Sequence, residues 1–314
     1  MKKLTLIGMT AMALAMTTVC EAPALAGSKP KIVVSLERAD DTFTIILRDS
    51  IMEAARAHPE LDIQVVNAER SSDAQISTVR AAIADHADAV VVMSVDTPAA
   101  EAVVADTARA GVPLVFLNRL PPMDRFAGKV AVVACNDLVA GRLQMRLLSS
   151  QIHDTGNVVL LRGEDGHPAA RDRTIGAKEI LASKPGLKLI HEATGGWKRA
   201  EAEKLVTGWL AEGTPINAIV ANNDDMALGA IDALQKAGYK PGQVAVAGVD
   251  GTSAALDAIR AKWLTMSVLQ SAKAQAQVAL EDAAKFARKD YAQLYDWVPY
   301  EVIIPSNVEE FAAK

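Results

Sequence analysis

The residues best suited to chemistry stand where apolar runs give out. Asn157-Val-Val-Leu-Leu161 reads as a buried strand; it stops at Gly163, turns through Gly166 and restarts as a helix near Pro168, a residue suited to the first helical position. His167 and Arg173 therefore fall at a strand's carboxyl end and in the first turns of the next helix, the edge where open parallel sheets take ligands. The same kind of position recurs along the chain. Asp41 and Phe43 follow the first strand, Asn118 and Arg119 the strand at Pro113, Trp197 the strand at Leu187, and Gln270 the strand at Thr265. Asn223 lies in Asn222-Asn-Asp-Asp225 and Asp250 closes Gly248-Val-Asp250. Each has a bland reading when taken singly. A lone imidazole packs or caps, Phe43 at a helix start belongs in a core, and Asn118, Asn223 and Asp250 cap helices or shape turns. Together they have a chemical logic. Planar side chains with paired donors or acceptors suit the hydroxyls around a ring, and two aromatic planes, Phe43 and Trp197, suit its C–H faces. Leaving such a group unpaired costs about 1–3 kcal/mol, so a site of this kind rejects a ligand that lacks a hydroxyl. The set reads as a polyol clamp rather than a catalytic centre, although Asp41 and Asp250 are also the opposed carboxylates a glycosidase would use.

Such positions need a scaffold that brings many strand ends to one level. From Lys31 onward, strand and helix patterns alternate about every 25–30 residues. Strands are predicted at 32–36, 61–66, 89–93, 113–117 and 130–134, and then at 157–161, 187–190, 218–220, 244–247 and 265–268, with a strand-like 300–304 at the end. Helices are predicted over 42–57, 72–85, 98–110, 138–150, 169–181, 198–211, 226–237, 253–261 and 271–288. Short, fully apolar runs between helices mark parallel sheets covered on both faces, so the fold class is α/β. The chain has 314 residues, 50% hydrophobic but only 4% aromatic, which suits two domains with cores of Ala, Val, Leu and Ile. No flexible linker separates the halves, so two similar sheets are expected to be joined by rigid crossing strands. A net charge of −5 and the lack of a basic run argue against nucleic acid as a partner. No G-x-G-x-x-G follows a strand, which argues against a nicotinamide enzyme.

The N-terminus carries an address. Lys2 and Lys3 precede an apolar run over 4–19, and Ala24-Leu-Ala26 fits the small-residue cleavage rule, so residues 1–26 read as a signal peptide. The run falls short of the ~20 residues a membrane span needs. Val19 before Cys20 is a poor match to a lipoprotein signal. After cleavage Cys135 is the one cysteine left, so no internal disulfide forms and it is expected as a small buried residue.

Over nearly the whole mature chain the sequence resembles the periplasmic sugar-binding proteins of ABC importers, of the galactose, ribose and inositol type. The resemblance rests on Gly163-Glu-Asp-Gly-His-Pro168, Ala221-Asn-Asn-Asp-Asp-Met-Ala-Leu-Gly-Ala230 and Gly248-Val-Asp250, with Asp41-Thr-Phe43 and Val115-Phe-Leu-Asn118. It implies two Rossmann-like lobes with parallel sheets, joined by three crossing hinge segments near 134–136, Gln270 and Val298, and closing around a ligand. The N-terminal lobe would comprise 27–134 plus 271–297, and the C-terminal lobe 135–270 plus 298–314. It also implies that Asp41, Phe43, Asn118, His167, Arg173, Trp197, Asn223 and Asp250 contact ligand as their counterparts do in the galactose binder. Gln270 stands where that protein has Asn and the ribose binder has Gln, and Arg119 is similar to the ribose binder. Two departures point away from galactose. Ala169 replaces an Asp that holds the sugar, and the short segment 150–156 offers few oxygen ligands in place of a calcium loop, so neither metal nor cofactor is expected. Trp297-Val-Pro-Tyr-Glu-Val302 is similar to the branch that binds inositol and rhizopine, an amino-inositol.

The resemblance thus implies a monomeric, non-enzymatic receptor of the periplasm. It would capture a cyclitol or monosaccharide, inositol or a rhizopine-like amino-inositol foremost, and pass it to the membrane permease of an ABC importer. A hexose or pentose receptor also serving chemotaxis is the alternative, and a secreted sugar-processing enzyme a more distant one. A sugar-responsive repressor shares the two-lobed shape but needs a DNA-binding helix pair where this chain has its export signal. If the ligand carries an amine, Asp41 or Asp250 is expected to pair with it. Trp197→Ala and Arg173→Ala are each expected to weaken binding with little loss of folding.

Overall fold

A computed structural model describes residues 29–123 and 125–311; the expected signal peptide, 1–26, lies outside them. The first half of the chain builds β1 (Lys31–Leu36), α1 (Thr42–Arg56), β2 (Asp62–Asn67), α2 (Ser72–Ala84), β3 (Ala89–Val92), α3 (Thr97–Ala110), β4 (Leu114–Leu117) and β5 (Val130–Ala134). The second half adds α4 (Asp137–Gln151), β6 (Gly156–Arg162), α5 (Pro168–Ala182), β7 (Leu187–Thr194), α6 (Arg199–Ala211), β8 (Ala218–Ala221), α7 (Asp224–Lys236), β9 (Ala245–Asp250), α8 (Ser253–Arg260) and β10 (Met266–Leu269). Then α9 (Ala272–Ala287) returns to the first half, and β11 (Tyr295–Trp297) and β12 (Glu301–Ile303) follow, one in each sheet, before a 3-10 turn over Val308–Phe311.

Two six-stranded sheets result, in the orders β11-β5-β4-β3-β1-β2 and β12-β10-β9-β8-β6-β7. All recorded pairings are parallel except β10 with β12. The central strands are apolar at every position because helices cover both faces: Ala-Val-Val-Val in β3 and Leu-Val-Phe-Leu in β4 are wholly buried. The edge strand β2 is part-exposed and correspondingly mixed. The chain passes between the sheets three times, between β5 and α4, between β10 and α9, and between β11 and β12.

The elements follow the predicted pattern, with differences that include β9 running on to Asp250 and a 3-10 turn over Val308–Phe311. The strand β11 was not expected, since Tyr-Asp-Trp is short, part-exposed and shows no apolar alternation; it forms by pairing with β5 at the sheet edge. The strand β7 continues past Ile190 to Thr194, because it stays paired with β6 through Arg162. Packing also fixes where α5 sits. A Cβ on Gly141 of α4 would lie 1.9 Å from the Arg173 carbonyl oxygen, and one on Gly176 of α5 would lie 2.1 Å from that of Leu138. The two helices therefore approach backbone to backbone, which holds Arg173 against α4. Cys135 is a buried free cysteine whose thiol is pushed up to about 12 by burial.

Candidate functional site

The carboxyl ends of the two sheets face each other across one cleft. Glu37, Arg38, Asp41, Phe43, Thr44, Met93 and Asn118 line it from the first lobe, and His167, Ala169, Arg173, Trp197, Asn223, Asp250 and Gln270 from the second. Nine of the ten residues singled out from the sequence thus surround one space. Arg119 does not reach it: its Nη1 donates to Glu37 Oε2 at 3.1 Å, so it stands behind a wall residue. Sequence reasoning missed Glu37 and Arg38. Charged residues after a strand read as solvated loop, yet these are 5% and 6% exposed. The lobes also touch across the mouth. Thr42 Oγ1 donates to Asp225 Oδ2 at 2.7 Å, and Arg38 and Arg70 each reach Glu164 Oε2 at 3.5 Å.

Three helices point their N-termini at this cavity, each capped by a residue that lines it. Asp41 caps α1 by accepting from Thr44 N at 2.8 Å, His167 caps α5 by accepting from Ala169 N at 3.2 Å, and Asn223 caps α7 by accepting from Met226 N at 3.0 Å. The capping reading and the site reading are therefore compatible: the cap fixes each side chain at the cavity wall, where Asp41 also pairs with Arg38 and Asn223 Nδ2 donates to the Trp197 carbonyl. For His167 the bond to Nδ1 leaves the proton on Nε2. Burial first, then the charges of Arg119, Arg173 and Arg38, drive its pKa well below the usual range, so the imidazole is neutral. Three lining residues hold left-handed backbone: Asn118 at φ 64°, Trp197 at φ 68° and Asp250 at φ 124°. Non-glycine residues meet such angles at a cost of about 1–3 kcal/mol, and they concentrate where a side chain must be aimed.

Arg173 sits at the centre of a network drawn from all three crossings. Its Nε donates to Asp137 Oδ1 at 2.7 Å, its Nη1 to the Asn222 carbonyl at 2.7 Å, and its Nη2 to Gln270 Oε1 and to Tyr300 Oη, the latter at 3.2 Å. Tyr300 Oη in turn donates to Asp137 Oδ1 at 2.6 Å. Asp137 follows the first crossing, Gln270 lies in the second and Tyr300 in the third. Burial disfavours the guanidinium's charge, but Tyr300, Asp137 and Asp250 more than offset it and its pKa is raised. Arg173 is 4% exposed, so the expected separation of binding from folding does not hold for it: removing it would strand Asp137 without its cation.

The aromatic pair is asymmetric. Phe43 packs on the first lobe's core and keeps an open face to the cavity. Trp197 is 8% exposed and belongs to the second lobe's core, so its removal would also cost folding stability. Its ring meets His167 edge-on at 5.2 Å, and Arg173 Cζ lies 5.9 Å from its centroid. The indole lies so close to Gly163 that a Cβ there would come within 2.2 Å of it, which gives that glycine its purpose. Trp197 Nε1 is buried with no hydrogen-bond partner among the described residues.

A family model described as a periplasmic binding protein domain matches residues 32–290. The chain belongs to the periplasmic binding protein family. A Rhizobium meliloti relative named for rhizopine binding is 34% identical over 286 residues, covering 90% of this chain and 93% of that protein. An ABC transporter solute-binding protein of Bacillus halodurans C-125, solved with myo-inositol, is 34% identical with a TM-score of 0.85 over 91% of this chain and 98% of that one. A Caulobacter myo-inositol-binding protein bound to myo-inositol is 26% identical with a TM-score of 0.83, covering 90% and 96%. This periplasmic binding protein has the two α/β lobes of the type I fold, and its relatives here are solute-binding proteins. Ala169 is among the residues that line its cavity. Among the described residues, no helix is long and apolar enough to cross a membrane, and no cluster of three His, Cys, Asp or Glu is arranged to hold a metal ion.

Proposed function

We propose that this protein captures a cyclitol, an inositol or an amino-inositol, in the periplasm and delivers it unchanged to the membrane permease of an ABC importer. One observation carries the reading. Phe43 and Trp197 come from opposite lobes to line one cavity whose other walls are fork-shaped polar groups: Asp41, Asn118, Arg173, Asn223, Asp250 and Gln270. A saturated ring needs that combination, planes for its C–H faces and paired donors and acceptors for its rim. The names of the rhizopine- and myo-inositol-binding relatives support a cyclitol over an aldose. The ten residues Asp41, Phe43, Asn118, Arg119, His167, Arg173, Trp197, Asn223, Asp250 and Gln270 are proposed as the ligand-binding set, with Arg119 acting through Glu37. The crossings near 134–136, Gln270 and Val298 are proposed as hinges between lobes divided at the boundaries given above. The protein works as a monomer and is not an enzyme.

Calorimetric titration of the mature protein with myo- and scyllo-inositol, amino-inositols and common aldoses tests this. One cyclitol bound per chain, with the ligand recovered intact, is the expected result. Preference for an aldose would overturn the cyclitol reading, and steady product formation would overturn the receptor reading.

A further inference from the structure

The lobes are also joined by polar contacts that the cavity does not need. Arg38 Nη1 and Arg70 Nη1 of the first lobe each lie 3.5 Å from Glu164 Oε2 of the second. Thr42 Oγ1 of the first lobe donates to Asp225 Oδ2 of the second at 2.7 Å. Of these five residues only Arg38 lines the cavity.

Both halves of the ionic contact are held in place within their own lobes. In the first lobe Asp40 bridges the two arginines, accepting from Arg70 Nε at 3.3 Å and lying 3.6 Å from Arg38 Nε. Asp41 fixes the far side of Arg38, with Oδ2 2.5 Å from Nη2. The Arg70 amide donates to the Glu37 carbonyl at 2.9 Å, which pins its loop just past the end of β1. In that loop Glu69 and Arg70 both take left-handed backbone, at φ 50° and 61°. Two successive non-glycine residues there bear strain, a cost that folds retain where a side chain must be aimed. In the second lobe Glu164 stands in the turn between β6 and α5. The Gly163 amide donates to Asn222 Oδ1 at 3.0 Å and the Glu164 carbonyl accepts from the His167 amide at 3.1 Å, so the turn is tied on both sides of the carboxylate.

Contacts of this kind exist only while the lobes are together, so they favour the closed form whatever lies inside it. We propose that Glu164, gripped by Arg38 and Arg70, and the Thr42–Asp225 hydrogen bond form a latch across the mouth that sets how long the ligand is retained without reading its chemistry. The inference rests on the proposed cleft and hinges, and not on which ring the cleft takes. Its two parts differ physically. The side chains of Arg70 and Glu164 are 42% and 46% exposed, so dissolved ions screen their attraction, whereas the short hydroxyl–carboxylate bond responds little to salt.

The test uses uncharged ligands, myo-inositol, scyllo-inositol, D-ribose and D-galactose, which bring no charge of their own. Affinity is read by calorimetry and dissociation by stopped-flow Trp fluorescence, at about 20 mM and about 500 mM NaCl. At low salt, Glu164→Gln is expected to weaken every ligand that the wild-type protein binds by one common factor, roughly three- to tenfold, through faster dissociation. Arg70→Ala is expected to do the same, and for both variants the gap from wild type closes at high salt. Thr42→Val is expected to weaken the same ligands by a factor that salt does not change. Unchanged affinity and dissociation in Glu164→Gln and Thr42→Val overturn the latch. A loss that differs from one ligand to another also overturns it, since Glu164 would then be reading the ligand. Binding confined to the aldoses overturns the cyclitol reading and leaves the latch to stand or fall on the same factors. Thermal melts establish that the variants fold.

Discussion

Arg173 and Trp197 each serve two masters, the ligand cavity and the lobe that holds it. Replacing Arg173 with Ala leaves Asp137 buried without its guanidinium, so a loss of about 3–5 kcal/mol in folding stability is expected, read by denaturant titration. Trp197→Phe is the cleaner probe of the sandwich. It keeps a ring in the second lobe's core but shortens the plane offered to the ligand, and roughly tenfold weaker binding with a melting point within a few degrees of wild type is expected. Unchanged affinity would remove Trp197 from the proposed clamp. The residues at strand ends were legible because Asp, Asn, His and Trp are conspicuous after apolar runs. Glu37 was not, because its burial depends on Arg119, a partner distant in sequence, and Arg38 was not, because its pairing with Asp41 is completed only where Glu164 of the other lobe comes within 3.5 Å.

At the scale of elements, close contacts do what apolar patterning cannot announce. Gly141→Ala drives a methyl into the Arg173 carbonyl and must push α5 off α4, so both melting temperature and ligand affinity are expected to fall. Gly208→Ala, on the exposed face of α6 with open space where its Cβ would go, is expected to be neutral or stabilising by up to about 1 kcal/mol. The edge strand β11 carries a second kind of cost. Asp282 on α9 is fully buried, and among the described residues its Oδ2 has no hydrogen-bond donor. Burial first, then the neighbouring Asp296 carboxyl of β11, raise it to about 6 against the pull of Lys285. A carboxyl whose folded pKa is raised contributes stability that is full below its unfolded value near 4 and is lost as pH rises through about 6. Asp296→Asn supplies a donor and removes that repulsion. It is expected to raise the melting temperature by a few degrees at pH 7.5, with the gain shrinking toward zero at pH 4. A gain larger at pH 4 would contradict this account. The strand itself was invisible to periodicity because three part-exposed residues at a sheet edge carry no apolar code; only pairing with β5 makes them a strand.

Across the whole molecule, the order of elements was readable from rhythm alone, since buried parallel strands must be apolar throughout and the helices between them amphipathic. What rhythm does not encode is how the two sheets are tied. Asp137, Gln270 and Tyr300, one from each passage between the lobes, meet on a single guanidinium that also forms a wall of the cavity. Tyr300→Phe removes the phenol's link to Asp137 without touching the cavity wall, so a severalfold weaker ligand affinity with the same ligand preference is expected in calorimetry. Such a knot has a mechanical corollary. Torque applied to one passage is transmitted to the other two, so a pair of fluorophores, one per lobe, should report a single concerted swing when ligand arrives, with no stage at which one passage has flexed alone.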